Sequence, residues 1–238
     1  MITAAQQTQV DAAMELLSAY IANPPWEEWM VEVFTDAVDY AAEMLELSAD
    51  EVLDYLEEAP LSQMAHAHVF EHFINTETNE DGETVLQEFI RTRLQQEQNA
   101  FACQYLKALS ESKLGLWEVV DFKSGQFAQV RLWGTKEPVL QVPIEADNMP
   151  KDICIASRLL TLPNGEHTFG FGLLPIERSE AEDILSYLAQ VRTEMQETAK
   201  SEGHAEDAQD VEAAIVEELT DLIFHETFAS WIGQGFEE

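Results

Sequence analysis

The residues with the clearest potential for chemistry are two histidines and a glutamate in one short segment. His68, Glu71 and His72 form the pattern H-x-x-E-H, which in inverted zinc proteases places two metal-binding histidines one turn apart, beside a glutamate that activates water. Glu145 has the chemistry of a third ligand and follows at a tolerable distance. The apolar residues of the same segment are also typical of an ordinary amphipathic helix. A metal-dependent hydrolase is therefore one alternative, and a structural helix is the other.

Residues 77–88 nearly satisfy the pattern of a calcium-binding loop between two helices. The oxygen ligands would be Glu77, Asn79, Asp81 and Glu88, with Gly82 at the sharp turn. The first position holds Glu where such loops require Asp, and an Asp-Gly turn before a helix explains the same residues. A calcium-binding module is a second alternative, beside a plain turn.

No other segment has the pattern of a catalytic or cofactor site. The sequence contains no G-x-S-x-G, P-loop or G-x-G-x-x-G motif. Gly170-Phe171-Gly172 lies in a predicted strand, where two glycines indicate a bend rather than a phosphate site. Two cysteines are too few for a disulfide framework or a Cys-rich zinc site. The first hypothesis is therefore a protein with no catalytic residues, no metal ligands and no cofactor.

Charge is distributed in three blocks along the 238 residues, whose formal net charge is −34. Residues 1–90 contain 20 acidic residues and no Lys or Arg. Residues 91–200 contain all 12 bases and have a net charge of −3, and residues 201–238 carry −11. Surface helices usually mix both signs to gain i,i+4 ion pairs. The acidic ends therefore predict an unneutralised negative potential that a basic partner recognises. The competing explanation of the acidic residues is adaptation to high salt.

In the second predicted helix, the acidic residues responsible for this negative potential lie on one side. Apolar residues follow the helical period from Trp26 to Leu45, and acidic residues fill the opposite side. We predict that seven of these acidic residues bind the partner: Glu27, Glu28, Glu32, Asp36, Asp39, Glu43 and Glu46. Trp26 and Trp29 are typical of a core, and one alternative is that they anchor a partner helix. In another alternative this chain is one subunit or region of a larger assembly, with Trp26 or Trp231 buried against another chain.

The sequence thus predicts a non-enzymatic interaction protein that binds a basic partner protein. In its most specific form the partner is a nucleic-acid-binding protein, and the carboxylates imitate phosphates as in a DNA mimic. Direct nucleic-acid binding is not expected, because that affinity depends on Lys and Arg. No apolar stretch reaches the roughly 18 residues that a bilayer requires, and no signal peptide is recognisable. We therefore expect no membrane association and a cytoplasmic location.

Helices are predicted where apolar residues recur with a 3.6-residue period and capping residues or prolines mark the ends. Ser48 with Glu51, and Ser179 with Glu182, have the pattern of capping boxes. The predicted helices cover residues 4–22, 26–45, 49–58, 62–74, 83–109, 179–195 and 208–231.

The central region has the pattern of an antiparallel β unit. Hairpin turns are predicted at Lys123-Ser124-Gly125 and at Asn164-Gly165. The predicted strands cover residues 117–122, 127–133, 139–142, 153–161 and 167–174. The predicted fold class is therefore α+β, with an acidic helical region at 1–60, a helix and β unit at 61–178 and C-terminal helices at 179–238, as three regions or one compact domain.

One stretch of the sequence resembles a group of known proteins. The segments His68–Phe73, Asp81–Thr84, Gly115–Val119 and Ile155–Leu159 carry this resemblance. Together, over about residues 66–175, they resemble uncharacterised bacterial proteins that often carry a C-terminal SEC-C zinc motif. The cysteines of that motif are absent here, so the resemblance implies a helix and β organisation but no zinc-dependent or Sec-related role.

Overall fold

The protein has an α+β fold, as the sequence predicts, in a computed structural model that describes residues 2–59, 61–94, 100–144, 146, 149, 152–201 and 208–237. Among the described residues, six helices precede the strands and two long helices follow them. The helices are α1 (Ala4–Ile21), α2 (Trp26–Met44), α3 (Ala49–Glu58), α4 (Ser62–Thr76), α5 (Val85–Thr92), α6 (Ala100–Glu111), α7 (Arg178–Ser201) and α8 (Ala208–Glu237). The strands are β1 (Leu114–Lys123), β2 (Phe127–Leu132), β3 (Leu140–Pro143), β4 (Ile153–Thr161), β5 (His167–Phe169) and β6 (Leu174–Glu177).

The six strands form one antiparallel sheet in the order β3-β2-β1-β4-β5, with β6 also paired to β4. Both predicted hairpins are confirmed. The predicted strand at 167–174, however, is divided into β5 and β6, which pair with opposite ends of β4. The interruption is the Gly170-Phe171-Gly172 segment, which bends away from β4 where α4 approaches the sheet. The physical reason lies in the contacts of Glu71, described below.

Three groups of buried apolar residues hold the elements together. The largest lies between the sheet and α2, α3, α4, α7 and α8. The second joins α1, α5 and α6 to the beginning of α2 and the end of α4. The third lies on the opposite face of the sheet, around Trp117, Val130 and Ile155. Helix α4 contributes residues to the first two groups, and its polar side chains are therefore held in the interior of the molecule.

The prediction of one long helix at 83–109 is wrong, because α5 ends at Thr92 and α6 begins at Ala100. The amides of Arg93 and Leu94 both bond to the carbonyl of Phe89 and close the helix. A continuous helix of that length would extend about 40 Å and would carry its second half away from the core. Instead α6 packs against α1 and α5, and Leu94 is buried among the residues that they share.

The helix ends follow the capping predictions in one case and depart from them in another. Ser48 and Glu51 form the predicted reciprocal capping box at the start of α3. Helix α7 begins at Arg178, directly after β6, so Ser179 lies inside the helix and the predicted box at Ser179 is wrong.

Among the described residues, none of the helices is both long enough and apolar enough to cross a membrane.

Candidate functional site

The acidic face of α2 is fully available to solvent. Each of the seven predicted partner-binding carboxylates is exposed: Glu27, Glu28, Glu32, Asp36, Asp39, Glu43 and Glu46. The other side of the helix is buried, with Ala37, Val38 and Ala41 at most 2% exposed. Glu46 follows the helix in a left-handed conformation (φ 55°). The alternation of apolar and acidic residues thus gives α2 one core side and one acidic side. Partner binding by these seven residues stays a prediction.

Among the described residues, no lysine or arginine forms an ion pair with this face. Within the part of the chain that the structure describes, none of the seven carboxylates takes part in an ion pair. Four of the described arginines pair with carboxylates outside this face. These pairs are Arg91–Glu83, Arg131–Glu118, Arg178–Glu118 and Arg192–Glu212. None of these four pairs involves α2, so they leave the negative potential of its face in place.

Acidic residues from other helices extend the acidic region beyond α2. Helix α2 packs against α8 and α4, and Glu77 directly follows α4. Partial burial raises the pKa of Glu77, and the negative charges of Asp221, Glu32 and Asp36 raise it further. Carboxylates from three separate parts of the chain therefore lie close enough to repel one another.

Two histidines contact Asp221 on the α8 side of this region. Asp221 lies 3.3 Å from Nε2 of His72 and 3.4 Å from Nδ1 of His225. Burial alone would raise the pKa of Asp221, but hydrogen bonds with His225 and His72 outweigh burial and hold the pKa well below its ordinary value. Burial likewise opposes the charged form of His225, yet its bonds to Asp221 raise the pKa of His225. Asp221 is thus kept ionised, which preserves the negative charge.

The H-x-x-E-H segment is buried in α4 and bonded to protein groups. Nδ1 of His68 lies 2.9 Å from the carbonyl oxygen of Gly172, which can only accept, so Nδ1 is the donor. Nε2 then faces the hydroxyl of Thr227 at 3.2 Å. Burial lowers the pKa of His68 to about 4, which keeps the ring neutral. Both nitrogens of His68 therefore have protein partners, and neither is open to a metal.

Glu71 binds the other backbone group of the same glycine. Its Oε2 accepts a hydrogen bond of 2.9 Å from the amide of Gly172, and its Oε1 lies 4.0 Å from Nε of Arg158. Burial raises the pKa of Glu71 to about 7, although the Gly172 amide and Arg158 favour the ionised form. His68 and Glu71 thus fasten α4 to the bend between β5 and β6, whereas His72 contacts Asp221 of α8.

Two glycines make this close approach possible. A Cβ at Gly172 would lie 2.9 Å from Cβ of Glu71 and 3.0 Å from the carbonyl oxygen of Ala67, and a Cβ at Gly170 would lie 2.7 Å from Cδ of Glu71. The sequence-based interpretation of this segment as a bend is confirmed. Because the two glycines have no side chain, the buried carboxylate of Glu71 can lie against their backbone.

No set of three metal-ligating side chains is present among the described residues. Glu145, the third ligand in the hydrolase alternative, lies outside the described residues. His72 bonds to Asp221 through Nε2, while its Nδ1 is buried without a hydrogen-bond partner. The ring of His72 instead stacks on Phe224, with centroids 3.8 Å apart. The described geometry therefore gives the hydrolase alternative no support.

The predicted calcium loop is closed by its own hydrogen bonds. The side-chain oxygen of Asn79 accepts from the amides of Asp81 and Glu83, and its amide group donates to Glu88 at 2.9 Å. A short bridge between Thr78 and Thr84 completes a turn in which Gly82 has a φ of 76°. Asn79 thus forms an Asx turn, and α5 is capped separately by Thr84 in a capping box with Gln87. Asn79 and Glu88 are turned towards each other.

The tryptophans considered as anchors are part of the core. Trp26 is 5% exposed and packs edge-on against Trp29 and Phe73. Trp231 is 6% exposed and contacts Tyr55. The alternative in which Trp26 or Trp231 is covered by another chain is therefore wrong, because this chain covers both.

Sequence reasoning did not place Glu77, Asp221 and His225 beside the α2 face. The available signal was the complete lack of Lys and Arg in residues 1–90 and 201–238, but the packing of α2 against α8 joins residues about 190 positions apart and has no local signature.

No family model, curated protein or solved structure matches the chain. The resemblance of residues 66–175 to uncharacterised bacterial proteins thus stays a prediction.

Proposed function

We propose that this protein is a non-enzymatic acidic interaction protein that binds a basic partner protein through the exposed face of α2. The observation that carries the proposal is the row of seven exposed carboxylates without a described ion pair. Self-repulsion of this kind lowers stability, and four of the arginines that could relieve it pair with carboxylates of other elements. Binding of a basic surface would relieve the repulsion and provide a reason for its persistence.

The main benefit of such a face is kinetic. Complementary potentials steer the encounter of two proteins and exclude partners of the same sign, while adding less to the final affinity. The steering acts over about 8–10 Å at physiological ionic strength. The expected interaction is therefore fast, salt-sensitive and selective for basic surfaces.

DNA mimicry is the specific form of this function. Residues 27–46 extend over about 28 Å at the helical rise, so seven carboxylates are spaced by about 4–5 Å. One DNA strand carries a charge every 3.4 Å or so, and the duplex one per about 1.7 Å. The α2 face thus approaches the charge density of a single strand, and Glu77 and Asp221 add to it. Competition with DNA separates mimicry from simple binding of a basic protein.

Two variants with equal charge provide the test. The first, the α2 variant, replaces five carboxylates of the face with amides: Glu28→Gln, Glu32→Gln, Asp36→Asn, Asp39→Asn and Glu43→Gln. The second, the control variant, makes the same change at five exposed residues of α1 and α3: Asp11, Glu15, Asp54, Glu57 and Glu58. Each variant loses five negative charges. A difference between them therefore reports position rather than net charge.

The measurement is affinity capture from an extract of the source organism at low salt. We expect the wild type and the control variant to retain the same basic protein, the α2 variant to lose it, and added salt to release it. Added duplex DNA will displace the partner if the face imitates DNA. Equal capture by all three proteins, or recovery of no basic protein, would contradict the proposed function.

A further inference from the structure

A groove of about 450 Å³ lies between α2, α7 and α8, beside the acidic face. Its base is apolar and includes Ile184, which is 4% exposed. Two tyrosine rings, Tyr40 of α2 and Tyr187 of α7, are part of its lining. The volume is in the range of sites that enclose a small molecule or a side chain.

The charges of the groove all have the same sign. Its lining includes the carboxylates of Asp183 and Glu226, and none of the described lining residues is a lysine, arginine or histidine. Glu43 of the α2 face lies close enough to Tyr40 to raise the pKa of its hydroxyl, after the larger effects of burial and Glu226. The groove is therefore continuous in charge with the proposed binding face.

A hydrogen bond from Tyr40 holds one oxygen of Glu226 and leaves the other available to a hydrogen-bond donor. The hydroxyl of Tyr40 donates to Oε1 of Glu226 at 2.5 Å, and the raised pKa of Tyr40 keeps that proton on the hydroxyl. Oε2 of Glu226 has no hydrogen bond within the described part of the chain. A carboxylate fixed at one oxygen and free at the other is prepared to accept a charged hydrogen bond.

The apolar side chains around the groove are unusually exposed. Met44 is 52% exposed and Tyr187 is 42% exposed, although both line the concave surface. A thioether and an aromatic ring form a surface suited to the stem and flat face of a long cationic side chain. Exposed apolar groups next to the groove carboxylates thus match both parts of such a side chain.

We propose that this groove is the anchor site for one arginine of the basic partner, an inference that rests on the proposed function. Arginine fits better than lysine because its planar guanidinium stacks on aromatic rings and binds carboxylates with two donors at once. In this arrangement the guanidinium lies against Tyr187 and between Asp183 and Glu226. The aliphatic stem covers Met44. Buried arginines beside tyrosines are frequent hot spots of protein interfaces.

The test uses a defined probe, N-acetyl-L-arginine amide, titrated into the full-length protein and followed by NMR. We expect weak, saturable shifts confined to amides near Tyr40, Ile184 and Tyr187. The lysine analogue should bind more weakly, and the uncharged citrulline analogue should cause no saturable shift. Equal shifts with citrulline would point to an apolar ligand site and overturn the proposal. Diffuse shifts along α2 without saturation would overturn it as well.

Substitution of Tyr187 tests the stacking contribution. Tyr187→Ala removes the ring and should weaken arginine amide binding by about threefold to tenfold, as expected for a cation–π contact. Tyr187→Phe keeps the ring and should bind like the wild type, which also reports an intact groove. Unchanged binding by Tyr187→Ala would contradict the assignment.

The charge contribution is tested with a matched pair. Asp183→Asn removes a groove carboxylate, and Asp50→Asn removes one exposed carboxylate at the start of α3. Only the first should weaken arginine amide binding. If the captured partner depends on the α2 face but is retained equally by Tyr187→Ala and Asp183→Asn, the groove proposal fails while the proposed function stands. If the α2 variant retains the partner, the proposed function fails by itself.

Discussion

Glu71 and His68 bind the amide and the carbonyl of one residue, Gly172, in the interior of the protein. Burial affects the two side chains in opposite ways. It raises the pKa of Glu71 to about 7 and lowers the pKa of His68 to about 4. Both shifts favour the neutral side chain, because a charge without full solvation is costly in the interior. Arg158 is the positive group beside Glu71, and Tyr105 is buried near it.

These shifts predict opposite contributions to the pH dependence of stability. Glu71 has a higher pKa in the folded state, so its contribution is present below about pH 4.5 and is lost as the pH rises through about 7. His68 has a lower pKa in the folded state, so folding improves as the pH rises from about 4 to 6.5. In the wild type the two contributions largely cancel between about pH 4.5 and 6.5.

Glu71→Gln should therefore remove the contribution of Glu71 and leave that of His68. We expect the free energy of unfolding of the wild type, relative to the variant, to fall by about 3 kcal/mol between about pH 4 and pH 8. Urea denaturation across this range measures the difference. Glu57→Gln, at an exposed position of α3, should show no such trend. A constant difference between the wild type and Glu71→Gln would mean that Glu71 has an ordinary pKa in the folded protein.

At the scale of elements, the contact between α4 and the β5–β6 bend joins a helix to a sheet through two glycines. A Cβ at Gly172 would meet main-chain and Cβ atoms of α4 at 2.9–3.0 Å. These atoms belong to a helix whose position is fixed by its contributions to two core groups. The helix cannot retreat without opening the core, so the sheet has to bend.

Gly172→Ala should accordingly destabilise the protein by about 1–3 kcal/mol, the usual cost of adding a methyl group to a tightly packed site. The measurement is the urea midpoint at constant m-value. Gly125→Asn is the matched control, because Gly125 lies in an open turn at φ 63° with no atom within 4 Å of an added Cβ, and asparagine tolerates that conformation. If both substitutions have the same small effect, the close approach of α4 is not what bends the sheet.

The sequence predicted this region only in part. The helical period of residues 62–74 and the bend at Gly170-Phe171-Gly172 were both recognisable, because each depends on local residue types. Their contact was not, since Glu71 and Gly172 are 101 positions apart. The H-x-x-E-H spacing places its side chains on one side of a helix whether they bind a metal or a glycine backbone. Spacing alone cannot separate these two outcomes.

The predicted single helix at 83–109 failed for a related reason. Apolar residues continue with a helical period through Leu94, so local patterning favours one helix. The chain turns because Leu94 and Leu106 are buried in one apolar group with α1, a gain that depends on tertiary packing. The groove between α2, α7 and α8 was likewise invisible in the sequence, because Tyr40 and Tyr187 approach each other only through the packing of three helices.

For the whole molecule, the decisive property is the separation of charge. The described arginine pairs lie around the sheet, α5 and the α7–α8 contact, while the α2 face has none. Besides burial, the larger effect, Asp221, Glu32 and Asp36 all raise the pKa of Glu77, so acidic residues of α2 and α8 both act on the carboxylate that follows α4. An evenly distributed acidic coat would give solubility alone, whereas a concentrated one has a position that a partner can recognise.

The salt dependence of stability distinguishes an evenly distributed acidic coat from a concentrated one. Screening shortens the reach of charges from about 30 Å at 0.01 M to about 8 Å at 0.15 M salt, so the free energy of unfolding of the wild type should rise with salt. The α2 variant should be more stable than the wild type at low salt, by on the order of 1 kcal/mol, and should gain less from added salt. The control variant, with five amides on α1 and α3, should behave more like the wild type. Urea denaturation at several ionic strengths measures all three proteins. If both variants gain equally, repulsion is spread over the surface, and the α2 face has no special electrostatic role.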